Sequence, residues 1–183
     1  MMTAVERARL VLPVGPSDHV EGPATAPVTL VEYGDYECSH CGRAYPIVKR
    51  VQRAMESRLR FVFRNFPLTR VHPHAQHAAE AAEAAASQRK FWPMHDRLFE
   101  HQLELEDEDL VAHALAVGLD VDRFSAELLG GAHVERVRED FKSGLLSGVN
   151  GTPTFFVNGV RYDASWDHDT LLAVLLELAE TTG

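Results

Sequence analysis

From Val28 to Tyr33 the chain reads VTLVEY, with apolar and β-branched residues at odd and even positions alike, and the run stops at Gly34. That pattern predicts a strand buried on both faces, in which Glu32 is the one ionisable member. Apolar spacing then changes: Ala44, Ile47, Val48, Val51 and Met55 recur at helical intervals. They predict a helix over 39–57 with a single buried stripe, and Pro46 inside it should delete one backbone hydrogen bond and bend the axis. LRFVFRNF, residues 59–66, predicts a second strand.

From Pro67 to about Val149 strand patterning disappears and helical signals follow one another. Residues 75–86 are alanine-dense and of high helix propensity. FWPMHDRLFEH, residues 91–101, sets Trp92, His95, Leu98 and Phe99 at helical spacing. Asp107, Glu108 and Asp109 open a helix that runs to Val117 and that Gly118 closes. Shorter helices are predicted over 122–129 and 134–147. TFFV, Asn158-Gly159 and Val160-Arg161-Tyr162 then give a strong hairpin signal, and an amphipathic helix closes the chain over 168–178.

The order strand, helix, strand, helices, hairpin, helix predicts an α/β fold. A helical crossover between the first two strands favours a parallel pair and the hairpin must be antiparallel, so the sheet is mixed, with helices on both faces. The expected layout sets residues 1–66 and 150–183, including an N-terminal arm over 1–26, apart from a strand-free helical block over 67–149. No repeat or low-complexity tract is visible.

The chain has 183 residues, 45% of them hydrophobic, enough for one sizeable core. Its 27 acidic residues outweigh 18 Lys and Arg, and a net charge of −9 argues against nucleic acid or an anionic membrane as a partner. MMTAVERARLVLPVGP puts charges early and breaks its apolar run at Pro13, so it does not read as an export signal. No window has the composition of a membrane span. As written the chain reads as cytoplasmic; a signal replaced at the doubled Met would instead put it in the periplasm or another extracytoplasmic space.

Both cysteines fall in Tyr36-Glu-Cys-Ser-His-Cys-Gly, at the start of the first helix. Two inert buried thiols rarely land in a C-x-x-C, and a disulfide closing so short a loop constrains the unfolded chain little. Structural zinc needs four ligands, which His72, His74 and His77 could help complete. Redox chemistry fits the surroundings better. A helix N-terminus offers unpaired N–H groups and the positive end of the dipole, which favour a thiolate at Cys38. The imidazole of His40 could add to the same effect. Stabilising the reduced thiolate makes the disulfide form the stronger oxidant.

Together, VTLVEYGDYECSHCGRAYP, NFPL followed by HPHA, FWPMHDRLFE and GTPTFFVNG resemble the DsbA-like thiol–disulfide oxidoreductases of the thioredoxin superfamily, in order and over about residues 22–179. The resemblance implies a thioredoxin fold carrying a helical insertion. It makes Cys38 the exposed attacking cysteine and Cys41 the shielded resolving one. Pro153 matches a cis-proline facing the site and Thr152 a residue whose backbone pairs with substrate. Ser39, where many relatives have Pro, joins these as a substrate-binding position. Glu32 matches a buried acid that assists proton transfer at the resolving sulfur; an edge-facing or salt-bridged glutamate is the alternative.

The expected activity is exchange of a Cys38–Cys41 disulfide or dithiol with protein thiols, leaning towards disulfide donation. It needs no metal or organic cofactor, but it does need a second redox partner to recycle the pair. A cytoplasmic reductase, or a peptide-binding or chaperone module without turnover, is the alternative.

Overall fold

A computed structural model describes residues 8–182. The reading of the extreme N-terminus as lacking an export pattern falls partly on residues 1–7, outside the described residues.

Among the described residues, five strands and seven α-helices follow in chain order. They are β1 (His19–Glu21), β2 (Val28–Gly34), α1 (Ser39–Met55), β3 (Leu59–Asn65), α2 (Ala75–Ser87), α3 (Phe91–Glu100), α4 (Asp107–Ala116), α5 (Val121–Leu129), α6 (Val134–Leu146), β4 (Thr154–Val157), β5 (Val160–Tyr162) and α7 (His168–Thr182). The sheet order is β1-β3-β2-β4-β5, with β2 and β3 parallel and every other pair antiparallel. This is the mixed sheet that the pattern predicts.

Several bounds shift by a residue or more, α7 running to Thr182 rather than 178, and two differences bear on the fold. The first helix stops at Met55, where a 3-10 turn over Glu56–Arg58 begins and Glu56 takes a positive φ of 50°. The N-terminal arm also carries a strand, β1, which pairs with β3 at the sheet edge. His-Val-Glu is too short to show any alternation, and its backbone pairing depends on β3 arriving beside it.

Side-chain alternation sorts the two central strands into two packing layers. Val28, Leu30, Phe61 and Phe63 join Ala44, Val48 and Val51 of α1, residues of α2 to α5, and Leu171 and Leu175 of α7 in one core. Phe63 lies at its aromatic centre, with the rings of Tyr36, Phe91, His95 and Phe99 around it. Val31, Tyr33 and Val62 point the other way, where Phe156, Phe66 and Val149 complete a smaller core against Leu10 and Val14 of the arm and Phe141 of α6.

The arm is held by a buried ion pair. Arg64 is 1% exposed and Asp18 4%, and the guanidinium grips both carboxylate oxygens at 2.7 and 2.9 Å. It also donates to the Leu12 and Pro13 carbonyls and the Tyr33 hydroxyl, so all of its donor capacity is used. Such a pair is costly to break, because the survivor is left charged and buried.

Candidate redox-active site

β2 delivers the chain to the site. After Gly34 a turn through Asp35, Tyr36 and Glu37 leads into Cys38, which occupies the N-cap of α1 with extended backbone (φ −73°, ψ 121°). An N-cap side chain is the one that accepts from the free N–H groups two and three residues on, here His40 and Cys41. Sulfur at this position stands where a capping oxygen usually would; the neutral thiol makes no capping hydrogen bond, and the anion is the form that the His40 and Cys41 N–H groups favour.

The two thiols, both unpaired by disulfide, are driven apart electrically. A hydrogen bond from Cys41 is the largest influence lowering the Cys38 pKa; burial opposes it, and Thr152 and the N–H groups of Cys41 and His40 add to it, for a value of about 4. Cys41 is pushed well above its ordinary value, first by burial and then by the hydrogen bond it gives to Cys38. At neutral pH the pair is thus thiolate at Cys38 and thiol at Cys41. The neutral Cys38 thiol would donate to the Thr152 carbonyl at 3.5 Å, a bond that ionisation removes. The buried Thr152 hydroxyl has no other partner among the described residues and is placed to donate to the anion instead.

The resemblance led to an exposed Cys38, but the structure leaves it only 4% exposed, against 0% for Cys41. The Thr152 carbonyl closes one side. Gln102 reaches the start of α1, donating to the Tyr36 and Cys38 carbonyls at 2.8 and 2.9 Å. Gly42 makes room for it: a Cβ there would fall 1.9 Å from the Gln102 amide oxygen.

Glu32 lies on β2, in the interior of the sheet, on the face that carries α1. Its carboxyl is buried and has no hydrogen-bond or ion-pair partner among the described residues. Burial, followed by the nearby Cys38 charge, raises its pKa to about 8. Neither an edge-facing nor a salt-bridged glutamate describes this placement.

Thr152 and Pro153 reach the site from the loop before β4, and the bond between them is cis. Ser39 is exposed at the first turn of α1 and lines a cleft of about 390 Å³ with Glu37, His72, His74, Gln102 and Leu103. His40 is placed differently from expectation. Its ring is exposed and its Nδ1 accepts from Arg43 at 2.6 Å, so its backbone N–H, rather than its imidazole, serves the sulfur. The histidines weighed as zinc ligands each meet a different carboxylate: His72 pairs with Asp35, His74 with Glu37 and His77 with Asp107. Among the described residues no three metal-ligating side chains converge.

Asp35, His72 and Gln102 belong to the site although sequence reasoning gave none of them a role in it. His72 stood out only as a possible metal ligand, and nothing in the local pattern marks the other two.

The fold around this site belongs to a known class. A family model described as thioredoxin matches residues 15–177, and the chain belongs to that family. Among solved structures, BdbD from Bacillus subtilis superposes with a TM-score of 0.81 at 23% identity, covering 96% of this chain and all of that one. A thioredoxin-like oxidoreductase from Silicibacter pomeroyi gives 0.80 at 25% identity over 92% and 95% of the two chains. Alpha-DsbA1 of Wolbachia pipientis gives 0.80 at 19%, over 94% and 96%. The fold is therefore that of the DsbA-like proteins.

The curated relatives are of another kind by name. A Na(+)/H(+) antiporter NhaA 1 of Salinispora arenicola is 50% identical over 167 residues, 91% of this chain but 26% of the relative. The NhaA antiporter of Herminiimonas arsenicoxydans is 46% identical over 164 residues, again 26% of its length. The chain thus spans about a quarter of the length of these relatives. Among its own described residues, no helix is long and apolar enough to cross a membrane.

Proposed function

We propose that this protein exchanges a Cys38–Cys41 disulfide with protein or peptide thiols. The observation that carries the reading is the N-cap placement of Cys38 with its pKa near 4, beside a Cys41 held as thiol. In the donating direction a substrate thiolate attacks the Cys38 sulfur. The Cys38–Cys41 bond breaks, its electron pair passes to Cys41, and Cys41 takes up a proton. Glu32, still protonated at pH 7, is the reading's donor for that proton. A second substrate thiolate then attacks the substrate sulfur of the mixed disulfide and expels Cys38 as thiolate. The substrate leaves oxidised, the pair remains reduced, and a separate redox partner must reoxidise it.

The ease with which Cys38 leaves as an anion supports donation over reduction. Donated disulfides persist only in oxidising compartments, so this direction implies action outside the cytoplasm, and the reductase direction would suit the cytoplasm. Ser39, Thr152 and Pro153 are the proposed substrate-contacting positions, with residues 67–149 as an inserted domain that supplies one wall of the cleft.

Equilibration with glutathione buffers tests the reading. A potential near about −120 mV is expected, whereas one near about −270 mV would favour a reductase. Cys38→Ser should abolish dithiol-dependent exchange and Cys41→Ser should accumulate a mixed disulfide. Full peptide-binding activity in Cys38→Ser with no exchange in the parent would instead favour a non-catalytic module.

The antiporter relatives add a candidate partner, a membrane transporter. Capture of a transporter in the mixed disulfide of Cys41→Ser, from membranes, is the corresponding test.

A further inference from the structure

The sequence offers His40 as the imidazole beside the sulfur, but the fold presents a different one. Asp35 is fully covered, and its carboxylate accepts from the N–H groups of Glu37 and Leu68, each at 2.8 Å. The same carboxylate pairs with Nδ1 of His72 at 2.8 Å. Through its backbone carbonyl, Asp35 also accepts the N–H of Cys38 at 3.1 Å. One buried carboxylate therefore ties the loop that carries the sulfur to the loop that carries His72, and His72 lines the cleft with Ser39 and Glu37, the two chain neighbours of Cys38.

The charges facing His72 favour its protonated form. Burial pulls its pKa down, but the hydrogen bond to Asp35 and the charges of Asp35, Cys38 and Glu37 outweigh it and hold the value above that of an ordinary histidine. Glu37 is partly answered by His74, whose Nδ1 it meets at 2.9 Å. Glu106 and Gln102 complete the cleft on the side of α4 and the loop before it. His40, by contrast, has its Nδ1 occupied by Arg43.

Resting on the exchange reading above, we propose that His72, fixed by Asp35, is a positioning residue whose imidazolium stabilises the Cys38 thiolate through space and so sets how oxidising the pair is. Protonated, it favours the thiolate and with it the reduced state. As pH rises through the His72 titration this support is withdrawn, and the disulfide form becomes the weaker oxidant.

His72→Asn tests the charge apart from the scaffold, because asparagine keeps an N–H donor for Asp35 and loses the titration. The acid dissociation constant of Cys38 should fall about three- to tenfold, and the glutathione equilibrium should move by the same factor towards the disulfide. His72→Arg should restore most of both. Linkage is reciprocal, so the His72 proton affinity, read by NMR in the reduced protein, should fall by a like factor in Cys38→Ser.

A Cys38 titration and glutathione constant within about twofold of the parent in His72→Asn, or a His72 titration indifferent to Cys38→Ser, would overturn the proposal while leaving the exchange reading intact. A parent Cys38 that titrates like free cysteine would overturn both.

Discussion

At the scale of single residues, the site turns on a few groups whose proton affinities burial and hydrogen bonds have moved. Glu32 gives the plainest thermodynamic consequence. Its folded pKa of about 8 lies above the ordinary 4.5, so its contribution is neutral below about pH 4.5 and becomes increasingly destabilising as pH rises towards 8. Glu32→Gln should therefore raise unfolding free energy at pH 7 relative to its effect at pH 4 by about 3 kcal/mol, read by denaturant titration at the two values. An effect that does not change with pH would place the carboxyl in contact with water. The pair itself shows the opposite sign. The lowered Cys38 pKa makes the dithiol form gain stability over the disulfide form from about pH 4 upwards, a gain complete only above the range where a free thiol ionises, near 8.5. Here the sequence revealed the two cysteines and the suspect glutamate. The resemblance named Thr152 for its backbone, but neither its hydroxyl beside the sulfur nor the Asp35 carboxylate that meets His72 could be read from the local pattern.

At the scale of elements, periodicity located nearly everything long enough to repeat. The N-cap of α1, the alanine-dense α2 and the hairpin at Asn158 and Gly159, whose φ values of 48° and 78° suit a tight turn, all follow from local chemistry. β1 escaped because three residues carry no period. Packing can also reverse a local rule. Gly144 lies within α6, where alanine would ordinarily gain about 1 kcal/mol. A Cβ there would sit 2.7 Å from the Phe66 ring and 3.0 Å from Tyr33, both of them core side chains. Gly144→Ala should therefore destabilise the protein by about 1–3 kcal/mol by calorimetry. A neutral or stabilising result would show that α6 can move away from the sheet at little cost.

At the scale of the whole molecule, buried polar pairs join segments that lie far apart in sequence. Burial alone would raise the Asp18 pKa, but the hydrogen bond and charge of Arg64 prevail and lower it. That stability is present above the ordinary carboxylate range and is lost as pH falls through the folded value. Asp18→Asn should cost about 3–5 kcal/mol at pH 7 and loosen the arm, seen as faster amide exchange at β1, with a smaller difference from the parent near pH 3. Equal costs at both values would mean that shape, and not charge, holds the arm.

What the amino-acid order determined by itself was the identity of every element but β1, the mixed sheet and the C-x-x-C at a helix start, because propensity, periodicity and capping act between near neighbours. Which side chains surround the sulfur was settled only by tertiary structure. Thr152 stands 114 positions from Cys38, His72 37 from Asp35 and Gln102 64 from Cys38. Only the stacking of helices on the sheet brings such residues within a few ångströms of one another, and a repeat of two or 3.6 residues carries no record of it.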